Sequence, residues 1–226
     1  MVSVLELMEY HVHVLFKHDA HNRLTVVNEP PYDSAPHVFV GHTELGKVVK
    51  YYSSALSAEL IGKLEQELEA IPADRLSELI EVLRQDHHVN DVWTGPAYVF
   101  SALTARTLSK AIQITNQNKD LLKSYFPYTF QDFADKQPCF VIIENNVPVS
   151  ICCSARQTPK AAEASLFTHE KYRGRGLAVQ VANAWALEVQ KQGRIALYST
   201  SEDNISSRAL ARKLELIQFG TDFHIG

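Results

Sequence analysis

A chain of 226 residues is long enough to bury a substantial core, as one large domain or two small ones. Hydrophobic residues at 46% and charged residues at 21% are ordinary for a soluble globular protein, and a net charge of −4 argues against a surface built to track a nucleic-acid backbone. No uninterrupted run of about eighteen apolar residues exists, so no membrane span is expected.

The opening stretch MVSVLELMEYHVHVLF places Val4, Leu5, Met8, Val12, Leu15 and Phe16 near helical spacing. Glu6 and Glu9, with no basic start or small-residue cleavage pattern, separate it from a secretory signal, and a cytoplasmic protein is expected. RLTVVN and HVFVG read as strands around the turn-rich EPPYDSAP, and GKVVKYY as a third. A helix starts at Ser57, with Leu60, Ile61, Leu64 and Leu68 on its apolar side. Pro72 ends it, and a second helix over about 73–85 carries Leu76, Leu79, Ile80 and Leu83.

VWTGPAYVFS is aromatic and extended, and a domain boundary is expected between residues 90 and 105. That division gives residues 1–100 as an amino-terminal α/β domain of unknown role, and 101–226 as a second domain. KAIQIT reads as a strand, NKDLLKSYF as a short helix, and PCFVIIENNVPVSICCSA as a hairpin turning at Glu144-Asn145-Asn146. AEASLFT is another strand, followed by a loop and a helix that Gly193 stops near Gln192. IALYST, DNISSRALARKL and LIQFGTDFHI complete a strand–helix–strand ending, for an α+β (mixed α/β) chain whose sheet is flanked by helices.

Some eye-catching residues have ordinary explanations. Cys139, Cys152 and Cys153 lie in apolar strands without C-x-x-C spacing and read as reduced, buried thiols. His11, His13, His18 and His21 cluster in sequence, but His-x-His diverges on a helix and lacks partners at a known spacing, so no metal site is expected. The aromatic set of Trp93, Tyr98, Phe100, Tyr125, Phe126, Tyr128, Phe130 and Phe133 reads either as inter-domain core or as a wall of a binding pocket.

The chemistry concentrates in EKYRGRGLAVQVANAW. Arg173-Gly174-Arg175-Gly176 joins a strand to a helix, where backbone N–H groups converge on the positive end of the helix dipole and can bind phosphate. A dinucleotide fingerprint would need a third glycine where Val179 stands, and a P-loop would need Gly-Lys-Ser/Thr.

Arg173-x-x-Gly176-x-Ala178 resembles the Q/R-x-x-G-x-G/A signature of the GNAT superfamily of acetyl-CoA-dependent N-acetyltransferases. The preceding strand, the following helix and the downstream YSTSEDNISSRALARKL resemble it in order and spacing, over roughly residues 105–226. The resemblance implies a GNAT-type fold with a mixed, mostly antiparallel sheet, preceded by the smaller α/β domain. It further implies that Leu166, Phe167 and Thr168 offer main-chain groups to the pantetheine arm of acetyl-CoA, and that Arg173, Gly174, Arg175, Gly176, Leu177 and Ala178 hold its phosphates. Asn204 and Ser207 match an N-x-x-S pattern that approaches the cofactor; Asn204 also fits a helix N-cap.

Acyl transfer to an amine needs a base for the amine proton and a donor for the leaving thiolate. Many members of the superfamily place a tyrosine on the last helix for the second task, but Ala211 stands at that register here. Ser207, Tyr198 or a water could substitute. For the base, the resemblance favours Glu163, flanked by Ala162 and Ala164, against the alternative of a solvent-facing glutamate at a sheet edge. His169 and Glu170 read as a solvated strand end. The expected reaction is direct transfer of acetyl from acetyl-CoA to the primary amine of a small molecule or amino acid, by a monomer or homodimer that uses no metal and binds no nucleic acid. A non-catalytic CoA-binding or interaction module is the alternative that the missing tyrosine supports.

Overall fold

The computed structural model describes residues 2–69, 76–102 and 109–226. Helix α1 (Val4–Leu15) begins at a capping box, in which Ser3 Oγ accepts from the Glu6 amide and the Glu6 carboxylate accepts from the Ser3 amide. Strand β1 (Phe16–His18) pairs with β2 (Leu24–Val27) as a small ribbon. Then come β3 (Val38–Thr43), β4 (Val48–Tyr52), α2 (Ala58–Glu69), α3 (Leu76–Leu83) and β5 (Val92–Val99). The helix break expected at Pro72 lies outside the described residues.

Past residue 109 the order is β6 (Ile112–Ile114), α4 (Pro127–Gln131), β7 (Cys139–Glu144), β8 (Val147–Gln157) and β9 (Ala161–Thr168). Helix α5 (Leu177–Lys191), strand β10 (Ile195–Ser199), helix α6 (Ile205–Lys213) and strand β11 (Ile217–Ile225) finish the chain. The NKDLLKSYF segment forms a 3-10 turn over Lys119–Leu122, and a second one spans Glu170–Tyr172. The β7–β8 hairpin turns at Asn145 and Asn146, both with positive φ (50° and 62°), a conformation asparagine tolerates better than most residues.

Nine strands form one sheet in the order β4-β3-β11-β5-β10-β9-β8-β7-β6. Its ladders are antiparallel except β9–β10, the parallel pair among the described residues. The boundary expected near residue 100 therefore does not separate two sheets. Strand β5 lies between β10 and β11, and β3 and β4 extend the same sheet beyond β11.

Period-two alternation sorts the strands onto two covered faces. Ala162, Ala164, Ala196 and Tyr198 pack on α5, whose Val181, Ala182, Trp185, Ala186 and Val189 are all fully buried. Their neighbours Ala161 and Leu197 face the other way, under α1, with Phe39, Ala97 and Phe219. Helices α2 and α3 cover Val38, Val40 and Ile225, while Ile114, Leu122, Phe126 and Cys153 form a separate core at the other end of the sheet. The three cysteines are buried free thiols. Phe100 belongs to the α5 core and Phe126 and Phe133 to the end core, whereas Tyr125 lines a surface cavity and Tyr128 is exposed.

Candidate active site

The parallel β9–β10 ladder is short. It runs through Ile195↔Ala161, Ala196↔Ala162 and Leu197↔Glu163, and there it stops. Beyond that point β9 stays paired with β8 through Thr168, whereas β10 pairs with β5 at Tyr198↔Tyr98 and Ser199↔Ala97. The two strands thus part like the arms of a V, with Glu163 at its vertex and Ala164–Thr168 offering an edge without a ladder partner on the β10 side, among the described residues. An extended ligand arm can add to such an edge as a further strand would.

At the open end of the V lies the glycine–arginine loop. Gly174 and Gly176 have φ of 76° and 73°, and a Cβ at either would meet nothing within 4 Å. Glycine is favoured here by backbone conformation, and the space above both residues is open. The amides of Gly174 through Val179 donate no hydrogen bond among the described residues, and α5 has no side-chain cap. Four of them, from Gly176 to Val179, are the orphan donors that every helix start presents. Six successive free N–H groups at the positive end of a fifteen-residue helix suit a diphosphate.

A cavity of about 400 Å³ connects strand edge and loop. It is lined by Leu166, Phe167, Thr168, Arg173, Gly174, Gly176, Leu177, Ala178, Tyr198, Asn204 and Ser207, so nearly all the residues expected to bind cofactor meet in one place. Arg175 is the exception. Its guanidinium makes a two-pronged pair with the Glu144 carboxylate at 2.8 and 2.7 Å, clamping the loop to the β7–β8 turn. Arg173 is partly committed as well, since its Nε donates to the Thr168 carbonyl at 3.2 Å. The arginines of this loop thus brace it as well as charging it.

Asn204 is a helix cap that also faces the cavity. Its Oδ1 accepts from the Ser207 amide of α6 at 3.0 Å. The Ser207 and Tyr198 hydroxyls are hydrogen-bonded to each other across the cavity floor. Burial, the largest influence, raises the Tyr198 pKa, and the carboxylate of Glu163 adds to the rise while the Ser207 bond opposes it; the phenol stays protonated. Ala211, at the register of the absent tyrosine, is buried in the α5 core.

Glu163 is not an edge glutamate. It is 4% exposed and faces α1, its Oε1 accepts a hydrogen bond from the Ser199 hydroxyl, and its Oε2 is buried with no partner. His11 of α1 and Asp222 of β11 lie on the same face, fully buried, with Nε2 and Oδ1 2.9 Å apart. Sequence reading missed this pair, because 211 residues separate its members and only the α1–β11 packing joins them. His13 diverges from His11 as the helix requires, and it stacks on His18 of β1 at 4.2 Å. Among the described residues no three His, Cys, Asp or Glu side chains converge to hold a metal ion, and no helix is long and apolar enough to cross a membrane. His169, expected at a solvated end, instead packs against Phe126 and Phe167 with its Nε2 buried and unpartnered.

Comparisons with known proteins agree with this geometry. The model of the GNAT acetyltransferase family matches residues 47–218, well ahead of where the sequence resemblance begins. The protein named "Uncharacterized N-acetyltransferase YdfB" of Bacillus subtilis is 38% identical over 82 residues, 36% of this chain and 31% of its own length, so the chain spans about a third of that relative. The fold is shared with a GCN5-related N-acetyltransferase-like protein from Streptococcus suis (TM-score 0.51, 18% identity, 85% of each chain). It is shared also with a GCN5-related N-acetyltransferase from Sphaerobacter thermophilus (TM-score 0.50, 14% identity, 89% of this chain and 79% of that one). With a family model spanning strands on both sides of the V and the loop at its mouth, this chain belongs to the GNAT acetyltransferase family.

Proposed function

We propose that the protein is an acetyl-CoA-dependent N-acetyltransferase that moves acetyl directly to the primary amine of a small molecule or amino acid. The observation that carries this reading is the V between β9 and β10, which joins a buried carboxylate at its vertex to a row of free amides at its mouth. Acetyl-CoA is the co-substrate, and it supplies an activated thioester carbonyl. The amides of Gly174–Val179 neutralise its diphosphate, and the free edge of Leu166–Thr168 aligns the pantetheine arm so that the thioester points to the vertex.

At the vertex Glu163 takes the amine proton as nitrogen attacks, and the Tyr198 hydroxyl, held by Ser207, donates to the departing sulfur. The Tyr198 phenol, hydrogen-bonded to Ser207 and lining the cavity, is a donor that can stand in for the absent tyrosine of α6, which supports an active enzyme over a silent binding module. Direct transfer is supported by the cysteines, which are all buried in strands and offer no thiol nucleophile to the cavity. A small acceptor suits the enclosed vertex, which α1 covers on one face and α5 on the other.

Two measurements test the proposal. Isothermal titration should find acetyl-CoA binding, and heat absent even at millimolar cofactor would refute the cofactor assignment. Thiol release from acetyl-CoA should rise with at least one member of a panel of amino acids and simple primary amines, and Glu163→Gln should lower it by about a hundredfold or more. Tight binding with no turnover on any amine would instead establish the binding module.

A further inference from the structure

Glu163 is ill placed to meet an amine by itself. At 4% exposure its carboxylate is closed off, with one oxygen buried and unpartnered and the other taken by a hydroxyl. That hydroxyl belongs to Ser199, the last residue of β10, which is only partly buried. Ser199 follows Leu197 by one strand period, so both face α1, as Glu163 does. It also lies just beyond the last β9–β10 pair, in the part of β10 that has turned to β5. Among the described residues Ser199 is the hydrogen-bond partner of the Glu163 side chain.

We propose that Ser199 is a catalytic residue that relays the amine proton to Glu163. The inference rests on the reading of Glu163 as the base. As the neutral amine attacks the thioester carbonyl carbon, the new N–C bond forms and the carbonyl π pair moves onto oxygen. The N–H proton passes to Ser199 Oγ while the Ser199 hydroxyl proton moves to Oε1 of Glu163, so the serine ends neutral and the glutamate protonated. The oxygen pair then returns, the C–S bond breaks, and sulfur leaves with its electrons and accepts a proton from the Tyr198 hydroxyl. Glu163 and Tyr198 are restored by exchange with solvent. A hydroxyl suits this task because it donates and accepts at once, and its rotor can switch partners without moving the strand.

The hydrogen bond is made in the resting protein, so it does not depend on substrate for its geometry. A serine that served only to satisfy a buried carboxylate would act through the ionisation of Glu163, so its loss would move the pH profile and leave the proton inventory unchanged. The loss of a serine that carries the proton would change the inventory itself.

The test uses the full chain with acetyl-CoA, n-butylamine as a generic primary amine and the fastest amine of the panel. Ser199→Ala should lower kcat by about a hundredfold while leaving the KM and the calorimetric Kd for acetyl-CoA within about twofold. Ser199→Thr, which keeps the hydroxyl, should recover at least about tenfold of the loss. In mixed H₂O/D₂O the wild-type rate should show a curved proton inventory that becomes linear in Ser199→Ala. A Ser199→Ala enzyme with wild-type kcat, or one whose loss threonine does not rescue and whose proton inventory stays curved, overturns the relay. If Glu163→Gln is also fully active, or no amine is acetylated although acetyl-CoA binds, the reading of the base fails and takes the relay with it. A crippled Glu163→Gln beside an unaffected Ser199→Ala separates the two.

Discussion

Replacing His11 by leucine would leave the Asp222 carboxylate fully buried, with only the ring nitrogen of His224, 3.7 Å away, beside it among the described residues. At the observed 2.9 Å, two unit charges attract by roughly 6 kcal/mol at an effective dielectric of about 20. Desolvation cancels much of that while the pair is intact, but not once one partner is gone, and breaking a buried pair costs about 3–5 kcal/mol. That is a large share of the roughly 5–15 kcal/mol that holds a domain together. Removing both charges, as His11→Leu with Asp222→Leu, should recover much of the loss, because no charge is then left buried without a partner.

The same pair sets a pH signature. Burial pushes the His11 pKa down, but the charge and hydrogen bond of Asp222, helped by Glu163 and opposed by Arg156, reverse this and raise it above its ordinary 6.5. Burial likewise pushes Asp222 up, yet His11 and His224 hold it below its ordinary 3.8. The histidine's contribution is therefore complete below pH 6.5 and fades as pH climbs through its raised pKa; the aspartate's is complete above pH 3.8 and fades as pH falls through its lowered one. Urea denaturation from about pH 5 to about pH 10 should show the wild type losing stability relative to the double variant as pH rises. Equal midpoints for wild type and His11→Leu at pH 6, or a wild-type-to-double difference that ignores pH, would refute the buried ion pair.

Gly176→Val should raise the acetyl-CoA Kd at least about tenfold and cost about 1–3 kcal/mol of stability, because a β-branched residue resists a φ of 73° even with open space around its side chain. Gly176→Asn, which tolerates that region, should bind several-fold better than valine, and calorimetry compares the two. Trp185→Ala should cost about 3–5 kcal/mol by chemical denaturation, since it empties the centre of the α5 core and leaves the buried Ser154 hydroxyl without the indole N–H that donates to it at 3.2 Å.

Features that depend on nearby residues could be read from the sequence. The glycines of the loop, the Asn145-Asn146 turn and the Asn204 cap are each decided within a few positions, and each adopts the conformation its residue type favours. The apolar stripes of α1 and α5 are equally local, and both helices bury them. What could not be read lies between strands far apart in the chain. Nothing near Glu163 says that α1 will cover it, and nothing near Arg175 says that Glu144, 31 residues earlier, will hold its guanidinium. An alternating strand looks the same beside any neighbour, so β5 carried no mark of its place between β10 and β11.

That placement ties the amino-terminal half to the architecture of the V. Where β10 leaves β9 to open the V, its backbone loses one partner, and a strand free on both edges would be poorly held. Strand β5 takes up the far edge through Leu197↔Val99, Tyr198↔Tyr98 and Ser199↔Ala97, and so fixes the two residues whose hydroxyls are proposed to serve the vertex. Two residues before Ala97 the strand carries Gly95, where a Cβ would stand 2.0 Å from the Thr200 carbonyl oxygen; only glycine lets the chain that follows Ser199 pass so close. Helix α1 then closes the face toward which Glu163 points, bringing His11 into its electrostatic reach. The row of free amides at the mouth of the V comes from the carboxy-terminal half alone. The wall that holds the V open, and the lid over its buried acid, come from the first hundred residues.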